Sequence, residues 1–564
     1  MPTPASPPES HPTPATTRPA ATVADDDRIG RASAFLASGT IVSRVLGFVK
    51  AIIVAATIGV VGSAGADAFA VANGLPNTVY VIVAGGVLSA VLVPQIVRAG
   101  SHADGGGAYI NKLLTVALVI LAGATIIATA LAPLLALLYG ATLPPATLDL
   151  AIAFAWWCLP QIFFYGLYTL LGEVLNARRS FGPFTWVPVL NNIVAIAGLL
   201  VFAALFGVDP DGTRSADAWT PGMVAVLAGS ATAGIAAQAL ILFWCWRRIG
   251  LRYRPDFAWR GVGLGTAGRM AGWTFCMLLL TTLAGIVQTL VLGTASGSGN
   301  ASVAAVDYAW LIFMLPHSVI TVSIATAYFT RMSEHAARDD HDKVRDDVSS
   351  AIRGITLIIN LAAAVLLVIA YPFAAVFETG SFPDTAALGN VVIAFTLGLV
   401  PFSMLFVVQR TFYALGDTRT PFRFTLFQVI VFTAGAFSCL LLPKDLLAAG
   451  IALVTTIACI AQLTVAAWLL RRRLHTLDGR RILGGFARSL AALVLPLLAG
   501  VGLLILLGGT VEGGFAVSGI FGAVVSMAII GAVMAVLYFG GLWLLRSPEL
   551  RGFATPLVAR LRRG

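Results

Sequence analysis

Apolar runs of 20 or more residues recur along almost the whole chain, and each is long enough to cross the ~30 Å hydrocarbon core of a bilayer as a helix. Bounded by polar residues or Gly/Pro punctuation, they fall near 34–61, 66–97, 109–139, 148–176, 184–206, 221–246, 268–295, 302–330, 352–377, 386–414, 421–442, 446–470, 485–508 and 516–545. Lipid offers backbone groups no hydrogen-bond partner, so a spanning segment must satisfy its own. These runs are too long and too uniformly apolar for barrel strands. With 58% hydrophobic and 11% charged residues, the chain also lacks the polar surface that a soluble protein of its size needs. The sequence therefore predicts an all-α polytopic membrane protein of about 14 transmembrane helices.

Charge distribution sets the expected orientation. If the N-terminus faces the cytoplasm, cytoplasmic segments hold 31 of the 36 lysines and arginines, a strong positive-inside bias. Both termini are expected in the cytoplasm. The net charge of +10 then reflects topology, and no nucleic-acid partner is expected. Residues 1–30, rich in Pro, Thr and Ala, read as a disordered cytoplasmic tail without a signal-peptide core. Residues 546–564 read as a basic cytoplasmic tail. The five cysteines all lie in apolar runs, so neither a disulfide framework nor a metal site is expected.

An internal repeat lies within the spans. Asp67–Asn77 and Asp307–His317 both read D-x7-L-P, displaced by 240 residues. Ile152–Pro160 and Ile393–Pro401 both read I-A-F-x5-P, displaced by 241, and Pro183-Phe184 recurs as Pro421-Phe422 after 238. The unit holds six spans, an even number, so both copies face the same way. That predicts two parallel six-helix lobes plus two C-terminal helices, the plan of parallel-repeat transporters. The boundaries are an N-lobe at 31–248, a cytoplasmic linker at 249–267, a C-lobe at 268–472 and the last two spans at 485–545. Pro76, Pro160, Pro316 and Pro401 each remove an internal helix bond, and their repeat-related placement points to bent helices that serve lobe motion.

Arg44 and Lys50 lie in the middle of the first span. Six residues separate them, about 9 Å along a helix and roughly 120° around it. A charge inside a membrane costs several kcal/mol, ~3 on insertion scales, unless it is paired or hydrated. One reading is an ion pair with Asp67 or Glu173. The other is a cationic, water-filled cavity for an anionic substrate, in which Arg offers a phosphate-matched fork and Lys a point charge. Gly47 between them leaves room for a ligand or a neighbouring helix.

The stretches "SRVLGFVK", "ADAFAVANGLPN", "GGVLSAVLVPQIV", "LPHSVITVSIATAYFTRMS", "FETGSF" and "RTFYALGDTRTPF" together resemble the MurJ (MviN) family over residues 31–545. The resemblance implies a member of the MOP transporter superfamily that flips the lipid-linked peptidoglycan precursor lipid II by alternating access, with the last two helices forming a groove for the lipid tail. It implies lipid II and the bilayer as partners, with cell-wall synthesis proteins as further candidates. Ser43, Arg44, Lys50 and Asn77 are the substrate-binding candidates that follow. Gly47, Asp67, Pro76, Pro160, Pro316 and Pro401 are the gating candidates. The chain departs from the family where many members carry cavity charges, with Tyr80, Leu311 and Met314 in their place. A sodium site is implied for some members, but spans 7, 11 and 12 hold no Asp or Glu, so none is expected here. No cofactor is expected, and the membrane potential is the expected driver.

Other signals are weaker. "GLGTAG" at 263–268 follows no strand, which argues against a nucleotide site. "HAARDDHDKVRDD" at 335–347 reads as a solvated cytoplasmic loop. Asp307 and Glu378 read as caps near the outer face, and His317 as a hydrogen-bonded core residue. Arg410 reads as a snorkelling residue. No nucleophile-and-base set stands out, so no catalytic residue is expected and the chain is read as a transporter. The alternatives are another MOP exporter of polysaccharide-lipid, or a non-transporting scaffold for cell-wall synthesis that would need neither buried cations nor broken helices.

Overall fold

The computed structural model describes residues 23–83, 107–178, 180–248, 250, 253–257, 268–378 and 380–550. All regular structure among them is helical. The first half runs α1 (Val23–Ile58), α2 (Ala64–Val83), α3 (Gly107–Ala130), α4 (Ala132–Gly140), α5 (Pro145–Cys158), α6 (Gln161–Ala177), α7 (Phe181–Phe206) and α8 (Pro221–Arg248). The second runs α9 (Gly268–Gly293), α10 (Val303–Pro316), a π turn (His317–Thr321), α11 (Val322–Ala336), α12 (His341–Val368), α13 (Ala370–Ala374), α14 (Phe382–Thr396), α15 (Leu399–Ala414), α16 (Arg419–Cys439) and α17 (Lys444–Leu474). Two more helices follow, α18 (Gly479–Leu506) and α19 (Ile520–Leu544). Among the described residues, twelve spans are long and apolar enough to cross a membrane, thirteen if the bent pair α14–α15 is one. The 84–97 part of the second expected span lies outside the described residues.

Each half packs mainly on itself. In the first, α7 lies along both α8 and α1, and α2 along α5. The α7–α8 approach needs Gly198, where a Cβ would lie 2.0 Å from the Ser230 Cβ. In the second, α16 packs on α17 and α9, and α14 on α17. The last two helices pack on each other, with α18 along α12. Buried polar contacts fix that pair: Asn360 Nδ2 donates to Ser489 Oγ at 2.6 Å, and the Tyr538 hydroxyl donates to the Leu357 carbonyl at 2.7 Å.

The repeat is visible in three dimensions. Asp67, near the start of α2, accepts a backbone bond from Ala304 in the first turn of α10, so the two repeat-related helices begin at the same end of the molecule. Pro160 caps α6 at the break after α5, and Pro401 lies in the first turn of α15 beside the 41° bend after α14. Pro316 closes α10 just before the π turn. Pro76 is carried within a continuous α2.

Two expectations change. Residues 23–30, expected in the disordered tail, are already helical in α1. The charged stretch at 335–347 is not one long loop. Only four residues separate α11 from α12, and α12 begins at His341, capped by the Asp340 side chain accepting from the Lys343 N–H. The charges suit a helix start, because Lys343–Asp340 and Arg345–Asp342 are i,i+3 pairs. Asp347 is buried there, held by Arg331 at 2.7 Å and His335 at 2.9 Å. Within the expected linker, the Tyr253 hydroxyl lies 2.9 Å from Thr115 Oγ1. Residues 263–267 of "GLGTAG" lie outside the described residues.

Candidate functional site

A cavity of about 570 Å³ lies between the halves, lined from α1, α2, α6, α7, α8 and α10. Its polar wall includes Lys50, Asn73, Asn77, Tyr165, Asn191 and Asp307. The amphipathic pattern of α2 puts its small and apolar residues (Ala68, Val71, Ala72, Leu75) into the protein, while Asn73, Gly74, Asn77 and Thr78 border the cavity. Gln161 at the start of α6 braces this wall, with its amide donating to Asn73 Oδ1 at 3.3 Å and Thr232 Oγ1 at 3.0 Å.

One end of the cavity is sealed by reciprocal contacts between the halves. The Asp67 carboxylate is 1% exposed and accepts from the Ser296 hydroxyl at 2.6 Å, from the Ser302 hydroxyl and from the Ala304 N–H at 2.9 Å. In the opposite sense, Glu378 from the second half accepts the Val61 N–H of the first at 3.1 Å. The Tyr308 hydroxyl donates to the Ala51 carbonyl at 3.2 Å. Between these contacts the backbones nearly touch. A Cβ on Gly62 would lie 3.1 Å from the Gly299 Cα, and both glycines have positive φ, at +71° and +76°. Burial pushes the Glu378 carboxyl up to about 7, with Asp384 and Asp211 adding to the rise against backbone donors at Val61 and Gly380.

At the other end Arg44 Nη1 donates to Ser318 Oγ of the second half at 3.3 Å, and Ile41 and Val45 of α1 are exposed. Neither Arg44 nor Lys50 lies within 4.0 Å of a carboxylate among the described residues, so the ion pair with Asp67 or Glu173 does not form. Of the four expected substrate residues, Lys50 and Asn77 line the cavity, while Arg44 lies outside that lining, against Ser318. Ser43 contributes its carbonyl to Asn192 Nδ2 at 2.9 Å. Gly47 faces the same Asn192 amide, 3.7 Å from where a Cβ would sit, so it admits α7 rather than a ligand.

Sequence reasoning favoured a cap over a gating role for Glu378, and it did not single out Ser296, Ser302 or Asn191. Their signals are ordinary polar residues near span ends, and only the meeting of two distant segments gives them roles. Tyr80 turns into the first half, hydrogen bonded to Thr169 Oγ1 at 2.7 Å. His317 is a buried, bonded residue, with Nδ1 3.2 Å from Ser403 Oγ. A second cavity, of about 510 Å³, lies within the second half and is lined by Thr274, Gln409, Thr425, Gln428, Thr455 and Gln462 among aromatic residues. Its donors are neutral hydroxyls and amides, which do not fit a carboxylate-based sodium site.

Two helical halves in parallel repeat, sealed to each other at one end of a central polar cavity, make the plan of a parallel-repeat membrane transporter. Residues 54–524 match the family model "Lipid II flippase MurJ", and the chain belongs to that family. Among curated relatives, a probable lipid II flippase MurJ of Rickettsia prowazekii (strain Madrid E) is 26% identical over 446 residues, covering 76% of this chain and 81% of the relative. One from Synechocystis sp. (strain ATCC 27184 / PCC 6803 / Kazusa) is 27% identical over 471 residues, covering 81% and 84%. A solved lipid II flippase MurJ in an inward closed conformation shares the fold at a TM-score of 0.67 and 19% identity, covering 90% of this chain and 99% of that one. An inward-facing multidrug resistance MATE transporter of the MOP superfamily aligns at 0.61 and 16% identity, covering 78% and 96%.

Proposed function

We propose that this chain is a lipid II flippase that carries its substrate from the inner to the outer leaflet of the bacterial cytoplasmic membrane by alternating access. The observation that carries the reading is the unpaired Lys50 on the wall of the central cavity, in a chain of this family. An isolated ammonium in a membrane protein is retained at a cost unless an anion or water meets it. The diphosphate of a lipid-linked precursor is such an anion. In this reading Arg44 meets the diphosphate at the cytoplasmic end and Lys50 receives it deeper in. Asn77 and the Ser43 region supply polar contacts. Asp67 and Glu378 hold the outer gate shut until the halves rock, and the breaks at Pro160 and Pro401 let paired helices bend.

Both termini lie in the cytoplasm in this arrangement. The membrane potential drives the step: an anion moving outward through an inside-negative membrane gains about 2.3 kcal/mol per charge at 100 mV, and a doubly charged diphosphate about twice that. Cell-wall synthesis proteins are the expected recipients of the product. The test is reconstitution in vesicles with fluorescently labelled lipid II, measuring its exposure at the outer leaflet. Protein-dependent exposure that speeds up with an inside-negative potential supports the reading, and absence of exposure above protein-free vesicles ends it.

A further inference from the structure

A separate cavity of about 350 Å³ opens where the first turns of α18 meet α12 and the segment after α19. It is lined by Arg353, Arg480, Arg481, Gly484, Arg488 and Glu549. Four arginines thus face one glutamate. The Glu549 carboxylate is 6% exposed and draws two of them together, Arg488 at 3.1 Å and Arg353 at 3.6 Å, while Ser547 Oγ donates to it at 2.8 Å. Arg481 has a looser contact with Asp478, at 3.8 Å, and Arg480 is exposed. Among the described residues, Arg488 Nε is buried without an acceptor. A buried guanidinium N–H without a partner calls for one, and a tetrahedral oxyanion supplies several acceptors at once.

Gly484 lines the cavity, and a Cβ there would meet only Arg488 Nη1, at 4.0 Å, while neighbouring Gly485 lets Glu549 pack against α18, its Oε1 3.0 Å from where a Cβ would sit. The cavity also sits at a defined depth. On α18 the residues beyond Arg488 turn a row of exposed apolar side chains outward, Leu490, Val494, Leu495 and Leu498 at 45–69%. The cluster therefore stands where the lipid-facing surface gives way to the charged end of the helix, the level of phospholipid headgroups.

We propose that this arginine pocket binds the phosphate of an anionic ligand, with a phospholipid headgroup as the source its depth favours and a soluble phosphate as the other. Arg353 and Arg488, preset by Glu549, donate to the phosphate oxygens, and Arg480 and Arg481 close over it from the water side. Occupancy would tie α12, α18 and the C-terminal segment together without touching the central cavity.

The test uses the full chain, delipidated in neutral detergent and followed by native mass spectrometry. Short-chain phosphatidylglycerol, short-chain phosphatidylcholine and inorganic phosphate are each titrated into the wild type, R480Q/R481Q and the charge-keeping R480K/R481K. The expected result is at least tenfold preference for phosphatidylglycerol over phosphatidylcholine, lost in R480Q/R481Q and kept in R480K/R481K. Binding of inorganic phosphate with that same arginine dependence, and of phosphatidylglycerol without it, assigns the pocket to a soluble phosphate. If neither anion distinguishes R480Q/R481Q from wild type, the pocket is an ordinary basic helix end and the proposal is overturned. Both positions are exposed, and R480K/R481K controls for folding.

Discussion

Asp67 in the first turn of α2 accepts the backbone N–H of Ala304 in the first turn of α10 at 2.9 Å, so the carboxylate of one half sits at the helix N-terminus of the other. The charge meets the positive end of the α10 dipole as well as two serine hydroxyls. The closed end is thereby held by polar contacts between the two repeats, with Asp307, the counterpart of Asp67, left to line the cavity.

Asp67→Asn keeps the shape and removes the charge. Hydrogen bonds to charged groups contribute about 1.5–3 kcal/mol, so the outer-closed state should lose about 2 kcal/mol and its population ratio should fall roughly 30-fold. Distances between spin labels at Thr213 and Ser298, on a chain whose native cysteines are replaced by serine, would report it. An unchanged distance distribution would show that the carboxylate does not hold the gate.

Glu378 should make that gate sensitive to pH. Its carboxyl is raised to about 7 when closed, against an ordinary 4.5 when hydrated. A raised acid favours the closed state while protonated, so the benefit is full below pH 4.5 and is lost as pH climbs through 7. The swing is up to about 3 kcal/mol. The same label pair should lengthen between pH 5 and 8, and Glu378→Gln should flatten the dependence. A curve unchanged in Glu378→Gln would assign the titration to another group.

Lys50→Ala and Arg44→Ala should sharply reduce flipping while leaving thermal stability within about 0.5 kcal/mol, because neither cation is paired with a carboxylate and its loss strands none. Lys50→Arg should retain activity, since a charge suffices on that wall. Full flipping by a stable Arg44→Ala, Lys50→Ala double variant would end the cationic-cavity mechanism.

Gly62→Ala adds a methyl at φ +71° against the Gly299 backbone. The left-handed conformation costs about 1–2 kcal/mol for a residue with a Cβ, before any clash. Impermeant thiol reagents should therefore reach a cysteine at Ser302 faster in this variant than in its parent.

Orientation is checked by single cysteines in the cysteine-free chain. Ser298→Cys should react with an impermeant thiol reagent from outside intact cells, and Ser180→Cys should not. The reverse pattern would invert the assignment of the closed end as the outer one.

Much of this architecture was legible along the chain. Span length, the charge bias and the 240-residue repeat are local or periodic, and lipid forces each apolar run into a helix whatever its neighbours do. The sequence by itself thus determined the helical class, the doubled plan, the two charges that need a cavity or a partner, and the family. Boundaries set by capping were less legible, as at His341, where charges that read as loop instead start a helix on an Asp340 cap. Choices between partners came only from the tertiary structure. Asp67 was as available to Arg44 in the sequence as to Ser296, Ser302 and Ala304, which lie more than 220 residues away. Gly47 could have faced a ligand, yet α7 fills its side. A side chain's partner depends on which distant backbone is brought within 3 Å of it, and no periodicity along a chain encodes that distance.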